Sequence, residues 1–323
     1  MMKPIIVYYC EAMEQMARSI TGVGSGMVRG NIQWGRFADS WPDFHIVMKD
    51  ENSLRGRDVA FLAAFENPQD SVTQRWVMSA FAYYQARSLT IILPFFPTGT
   101  MERMDRQGRI VTAKSMARDL SSIPSCVSLK NRVVIWDMHA LSEWFIFEGT
   151  NMLPILTSAI PMLQKHLRGL PDRNNVSVVF PDEGAKKRFG EMFSEWPLII
   201  CDKHREGNRR IVTIKEGEPR GRHCVVVDDL AQTFGTQLKC GEVLIRGGAK
   251  KISMYATHLV APNQSWTKIC NADFPIEHFW TTNSCPWTIN ALREADDCHP
   301  FEVLPLDCDI SKQILAVRSY FEN

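Results

Sequence analysis

A chain of 323 residues, 45% of them hydrophobic, has the length of about two ordinary domains and enough apolar residues to fill their cores. Its formal net charge of +1 excludes a nucleic-acid binder or a membrane-surface protein that works by bulk electrostatics. Nine cysteines, an odd number with no C-x-x-C pair, argue against a disulfide framework and a cysteine zinc site, and for a reducing compartment.

Met1 to Tyr9 is too short for a signal peptide, and no later run approaches about 18 uninterrupted apolar residues. The sequence therefore predicts a cytoplasmic protein with neither a membrane nor a nucleic-acid partner.

Apolar, β-branched runs predict strands over Ile5–Tyr9, Val59–Phe65, Thr90–Leu93, Arg132–Trp136, Val176–Phe180, Leu198–Cys201, Arg210–Ile214, Cys224–Val227 and Ile252–Ala256. Helical spacing predicts helices over Glu11–Ile20, Val72–Ala86, Thr112–Ser121, Leu153–Leu167, Glu183–Phe193 and Thr236–Arg246. The alternation predicts an α/β fold with mostly parallel sheets. Ligands in such sheets sit at the carboxyl ends of strands, so the residues after each strand are the ones to read for chemistry. Residues 169–175 look like a surface turn just inside a second domain. The basic clusters Lys186-Lys187-Arg188 and Arg205 to Arg210 have the ordinary look of solvated faces.

In the first half, Phe37 and Asp39 offer an aromatic face for a purine and an acceptor for its amino group. A core Phe beside a turn Asp would look the same. The shaped loop from Leu93 to Met104 carries Glu102 and Arg103, which suit either a nucleotide's polyphosphate face or a surface ion pair. Asp137 and His139 follow a strand. In an extended segment, period-two alternation would put both on one side, as a Mg²⁺ and phosphate site or as a structural pair.

In the second half, Asp182 ends a strand and either faces a cleft or caps the next helix. Lys203 and Arg205 precede the polar stretch Glu206-Gly207-Asn208, which could close over a transferring phosphoryl group or form a solvated hairpin. Thr257 and His258 end another strand.

The most informative run is Val225 to Thr236, which opens as a buried strand and continues through Asp228, Asp229, Gln232, Thr233, Phe234, Gly235 and Thr236 into a helix. The N–H groups of such a loop and the helix start face one point and suit a phosphate. The two acids repel phosphate but accept hydrogen bonds from sugar hydroxyls, so together the parts suit a sugar phosphate.

This run resembles the phosphoribosyl-diphosphate (PRPP) motif of type I phosphoribosyltransferases. Asp137-x-His139-Ala140, Pro181-Asp182-x-Gly184, Lys203, Arg205, Asp228 to Thr236 and Thr257-His258 are together similar, along nearly the whole chain, to ribose-phosphate diphosphokinase. Phe95 to Met104, Lys215-Glu216-Gly217 with Gly221-Arg222-His223, Gly184 to Phe189 and Thr282-Asn283-Ser284-Cys285-Pro286 look most like its plant-type, phosphate-independent branch. Gln232, Phe234, His204 and Leu259 depart from the usual residues. Gln232 stands where phosphoribosyltransferases usually have a carboxylate, and Phe234 where a small residue is usual.

The resemblance implies two tandem type I phosphoribosyltransferase-like domains, residues 1–152 on the ATP side and 153–323 with the PRPP loop. It implies an active site between them and a homo-oligomer. Residues 228, 229 and 232–236 would hold ribose 5-phosphate. Lys203 and Arg205 would be catalytic. Phe37, Asp39, Glu102, Arg103 and His139 would serve ATP, and Asp137, His139 and Asp182 would serve Mg²⁺. A PRPP-consuming phosphoribosyltransferase and a catalytically weak regulatory partner of another synthetase are the competing readings.

Overall fold

In the computed structural model the chain forms two units, Met1–Thr157 with Leu306–Asn323, and Ser158–Pro305. The structure describes residues 3–50, 52–127, 130–139, 141–206, 209–295 and 299–319, with side chains outside 141–143, 203–206, 209–211 and 317–319.

The first unit begins with strand β1 (Ile5–Tyr9), helix α1 (Glu14–Ile20), β2 (Met27–Arg29), β3 (Ile32–Arg36), β4 (Pro42–Ile46) and β5 (Asp58–Leu62). It continues with α2 (Pro68–Tyr83), β6 (Ser88–Ile92), α3 (Thr112–Ser121), β7 (Asn131–Trp136) and β8 (Met152–Thr157). Six strands make a parallel sheet in the order β2-β1-β5-β6-β7-β8, and β3 and β4 form a separate antiparallel hairpin. Strands buried on both faces read as apolar runs, as Val133 to Trp136 of β7 and Val225 to Val227 of the second unit do. Helix α2 starts where Asn67 and Asp70 form a reciprocal capping box ahead of Pro68.

The second unit contains α4 (Ile160–Gly169), β9 (Val176–Phe180), α5 (Glu183–Phe189), β10 (Leu198–Glu206), β11 (Arg209–Glu216) and β12 (His223–Ala231). Next come α6 (Gly235–Arg246), β13 (Lys251–Leu259), α7 (Thr267–Cys270), β14 (His278–Thr282), α8 (Pro286–Glu294) and β15 (Phe301–Leu304). Its seven strands run in the order β11-β10-β9-β12-β13-β14-β15, parallel except for the β10–β11 hairpin. One core lies against α6, with Cys224, Val226, Cys240 and Leu244, and the other against α4 and α5, with Val225, Val227, Leu163 and Phe189.

Two expectations need correction. The helix expected over Leu153–Leu167 is strand β8 followed by helix α4. Pro161 cannot sit in a helix interior, but it fits the first turn of α4. Pro154 fits β8 because that strand lies at the sheet edge. The second correction concerns the chain's last helix, α9 (Asp307–Ser319), which belongs with the first unit rather than with residues 153–305.

Polar anchors explain that placement. Asp309 Oδ2 accepts a 2.7 Å hydrogen bond from Nε1 of the fully buried Trp136, and Asp307 accepts one from Ser19 Oγ at 3.0 Å. Trp136 directly precedes Asp137, so α9 helps fix the end of β7. Asp309→Ala should cost about 1–3 kcal/mol in urea unfolding by orphaning the indole N–H, whereas Asp309→Asn, which keeps an oxygen acceptor, should cost less. Equal costs would mean that the hydrogen bond is not what anchors the helix.

Candidate active site

Strand β12 does not stop at Val227 but runs to Ala231, so Asp228 and Asp229 are still in extended backbone. Successive side chains on a strand face opposite ways. Cys224 and Val226 face the α6 core, and Val225 and Val227 face the α4–α5 core. The acids keep this parity. Gln237 Nε2 of α6 reaches Asp228 Oδ2 at 3.3 Å, while Arg188 Nη1 of α5 pairs with Asp229 Oδ2 at 3.0 Å. The Asp229 N–H donates to Asp228 Oδ1 at 3.0 Å. Burial first, then Asp229, then the charge of Asp182, push the Asp228 carboxyl well above the ordinary carboxylate range.

The following loop is shaped by Phe234, whose φ of 62° and ψ of 0° are left-handed. A bulky residue rarely adopts that conformation. Its ring is 1% exposed and packs against Phe279 and Phe301, with centroids 5.7 and 6.5 Å away. The side chain that would crowd the loop is thus turned into the core. The first helical bond of α6 runs from Leu238 N–H to the Phe234 carbonyl at 2.9 Å. The N–H groups of the first turn, Gly235 to Gln237, therefore have no helical acceptor. Gln232, Thr233 and Gly235 are exposed, and a Cβ built on Gly235 would meet nothing within 4 Å. Behind the loop, Ser265 Oγ donates to the Gln232 carbonyl and Lys268 Nζ to the Thr233 carbonyl, the latter at 3.3 Å. This geometry suits an anion at the helix start.

The other strand ends are mixed. Asp182 caps α5, accepting from Ala185 N–H at 3.0 Å, while also lying near enough to Asp228 to raise it. His258 is 3% exposed and bonds Ser284 Oγ through Nδ1 at 2.9 Å. Thr282 and Ser284 both donate to the Thr257 carbonyl, at 2.7 and 3.1 Å. In the first unit, Asp137 is 5% exposed with φ 36°, whereas His139 is exposed. The expected extended Asp-x-His segment is therefore replaced by a sharp turn. Glu102 and Arg103 pair with each other at 3.2 Å, Arg103 being 82% exposed. Phe37 and Asp39 sit at the tip of the β3–β4 hairpin. There Phe37 is exposed rather than in the core, and Asp39 Oδ1 accepts from Trp41 N–H at 3.2 Å.

Comparisons with known proteins agree with this frame. Residues 5–123 match the profile of the N-terminal domain of ribose phosphate pyrophosphokinase. The chain is 43% identical to "Ribose-phosphate pyrophosphokinase 3, chloroplastic" of Oryza sativa subsp. japonica, over 94% of this chain and 74% of that protein. It is 41% identical to "Ribose-phosphate pyrophosphokinase 4" of Arabidopsis thaliana, over 94% of this chain and 90% of that one. This chain belongs to the ribose-phosphate pyrophosphokinase family. In fold, a crystal structure of phosphoribosylpyrophosphate synthetase from Mycobacterium smegmatis aligns with a TM-score of 0.79 at 21% identity, covering 98% of this chain and all of that one.

The relatives do not carry the cytoplasmic expectation, since some are named chloroplastic or mitochondrial. Among the described residues, no helix is long and apolar enough to cross a membrane.

Within this pyrophosphokinase family fold, β10 carries the backbone of Lys203 and Arg205 as a hairpin strand opposite Val212 and Arg210, not as an open loop. Their side chains, together with residues Ala140, Gly207 and Asn208, lie outside the described ones. No group of three His, Cys, Asp or Glu residues is placed to hold a metal among the described residues. Magnesium does not need one, because it keeps several waters and takes one or two carboxylates together with substrate phosphates.

Sequence reading took Arg188 for part of a solvated face, yet its side chain is only 10% exposed and pairs with Asp229. Its position six residues after the Asp182 cap was the available signal. The stretch Thr282 to Pro286 is explained by the hydrogen bonds of Thr282 and Ser284 to the Thr257–His258 strand end.

Two measurements check this geometry. The raised Asp228 carboxyl costs the ligand-free fold stability as pH climbs above the unfolded value of about 4. Asp228→Asn should therefore raise the melting temperature at neutral pH, and the gain should vanish below about pH 4, where the carboxyl is protonated in both states. A constant gain at every pH would contradict this. Phe234→Gly relieves about 1–2 kcal/mol of left-handed strain but removes a core ring worth about 3–5 kcal/mol, so net destabilisation of about 1–4 kcal/mol is expected in urea unfolding. A more stable variant would show that the ring is not the anchor.

Proposed function

We propose that this chain transfers the β,γ-diphosphoryl group of ATP to the anomeric hydroxyl of ribose 5-phosphate, giving PRPP and AMP. The observation that carries this reading is the acid pair of β12 followed by an open helix start that Phe234 does not obstruct. Gly235, Thr236 and Thr233 bind the 5-phosphate through backbone N–H and hydroxyl groups. Asp228 and Asp229 accept from the ribose hydroxyls and orient the sugar, which lowers the entropic part of the barrier.

The anomeric oxygen attacks the β-phosphorus, the bond from that phosphorus to the α-bridging oxygen breaks, AMP leaves with that oxygen, and the hydroxyl proton is released to solvent. Lys203 and Arg205 balance charge on the β-phosphoryl group and the leaving AMP. Phe37, Asp39, Glu102, Arg103 and His139 serve the nucleotide. Asp137 and His139 of the first unit, and Asp182 of the second, would supply ligands to Mg²⁺, which would neutralise triphosphate charge when bound. A homo-oligomer and independence from inorganic phosphate belong to the same reading, and the resemblance to the plant enzymes supports the latter.

The test is product analysis with Mg-ATP and ribose 5-phosphate, with and without inorganic phosphate. AMP and PRPP in equal amounts under both conditions are expected. Diphosphate release only on addition of a free nucleobase would instead indicate a phosphoribosyltransferase, and nucleotide binding without turnover a regulatory partner. Lys203→Ala should lower turnover about 10²–10³-fold with little change in melting temperature. Near-normal turnover would remove Lys203 from the mechanism.

A further inference from the structure

The basic run Lys186-Lys187-Arg188 divides on folding. Lys186 forms a surface ion pair with Glu216 at 3.2 Å, and Lys187 is exposed. Arg188 turns the other way, against the acid pair, where both it and Asp229 are nearly buried. Its guanidinium carbon also lies 4.7 Å from the ring centroid of Phe189, a buried residue of the α4–α5 core. A cation over an aromatic face is held by the ring as well as by the carboxylate.

The helix carrying Arg188 is itself fixed at its start by the Asp182 cap, and Asp182 is one of the charges acting on Asp228. Polar contacts then run without a break through the strand, from Arg188 on one face to Asp229, to Asp228, and to Gln237 on the other face. Two adjacent carboxylates on their own would repel one another and take whatever rotamers separate their charges. A guanidinium fixed on one of them removes that freedom.

We propose that Arg188 is a positioning residue for the sugar site, acting through Asp229 by holding its carboxylate in one orientation and balancing its charge, so that the pair meets the ribose hydroxyls as fixed acceptors. The inference rests on the sugar-phosphate reading of the site. It assigns a role to a residue outside the PRPP motif and its loop. Arg188 does not touch the sugar in this account. Its effect is therefore confined to ribose 5-phosphate and disappears once Asp229 no longer carries the charge.

The experiment is steady-state kinetics on the full chain with Arg188→Ala, Arg188→Lys, Asp229→Asn and the Arg188→Ala/Asp229→Asn double variant, paired with calorimetric titration of ribose 5-phosphate. Arg188→Ala should raise KM and Kd for ribose 5-phosphate about ten- to a hundredfold, the scale of one charged hydrogen bond, while KM for ATP moves less than about twofold. Arg188→Lys should recover part of the loss, because it restores charge without the planar fork. The double variant should be no worse than Asp229→Asn alone.

Equal changes in both KM values, or additive losses in the double variant, would overturn the proposal. If Arg188→Ala does not fold, the same cycle run with Arg188→Lys decides, and additivity there overturns it equally. A wild-type protein that binds ribose 5-phosphate but makes no AMP would refute the proposed reaction while leaving the Arg188 effect readable by calorimetry. A wild-type protein that binds no ribose 5-phosphate would overturn both.

Discussion

Two carboxyl groups at the end of a strand buried on both faces are the constraint around which the second unit is arranged. Neither Asp228 nor Asp229 can be fully hydrated there, and side by side they repel. The strand's own alternation supplies the solution, because it sends the two side chains toward different helices. One acid receives an amide from Gln237 and the other a guanidinium from Arg188. What remains is a pair of acids held in place from two sides, to which sugar hydroxyls can donate. A site of this kind costs folding stability and recovers it when the ligand binds.

The loop after the acids meets a second constraint. A phosphate needs backbone N–H groups that nothing covers, and the chain places a phenylalanine among them. The left-handed conformation of Phe234 reconciles these by sending the ring inward, where Phe279 and Phe301 receive it. Core packing and loop geometry are thus set by one residue. On the far side, Ser265 and Lys268 hold two loop carbonyls, so the peptide groups of the loop are tied from behind as well as from below.

Much of this was legible in the sequence. Parallel strands buried on both faces announce themselves as apolar runs, and each predicted run overlaps a strand, although Val59–Phe65 outruns β5 by three residues and Thr90–Leu93 outruns β6 by one. The acid pair and the loop stood out because few other uses exist for that succession of residues. What escaped has physical causes. The strands β2, β3 and β4 are short and largely exposed, so no buried period marks them. Leu153 to Leu167 has enough apolar residues for a helix, and only its two prolines reveal the break. The return of α9 to the first unit depends on single long-range contacts, Asp309 with Trp136 and Asp307 with Ser19, which local pattern does not encode. Arg188 was hidden because a basic run looks alike whether its members are solvated or one turns inward. The turn at Asp137 escaped as well, since an aspartate at positive φ leaves no local trace in sequence.

The claim on which the account stands is that the acid pair and the adjoining helix start form one sugar-phosphate site. Calorimetric titration of ribose 5-phosphate into the wild-type protein and into the Asp228→Asn/Asp229→Asn double variant tests it most directly, with ATP titrated into both as the control. The account predicts that the double change weakens ribose 5-phosphate binding by at least about tenfold and leaves ATP binding within about twofold. Ribose 5-phosphate binding of equal strength in both proteins would contradict it, because the sugar would then be held somewhere other than at the end of β12.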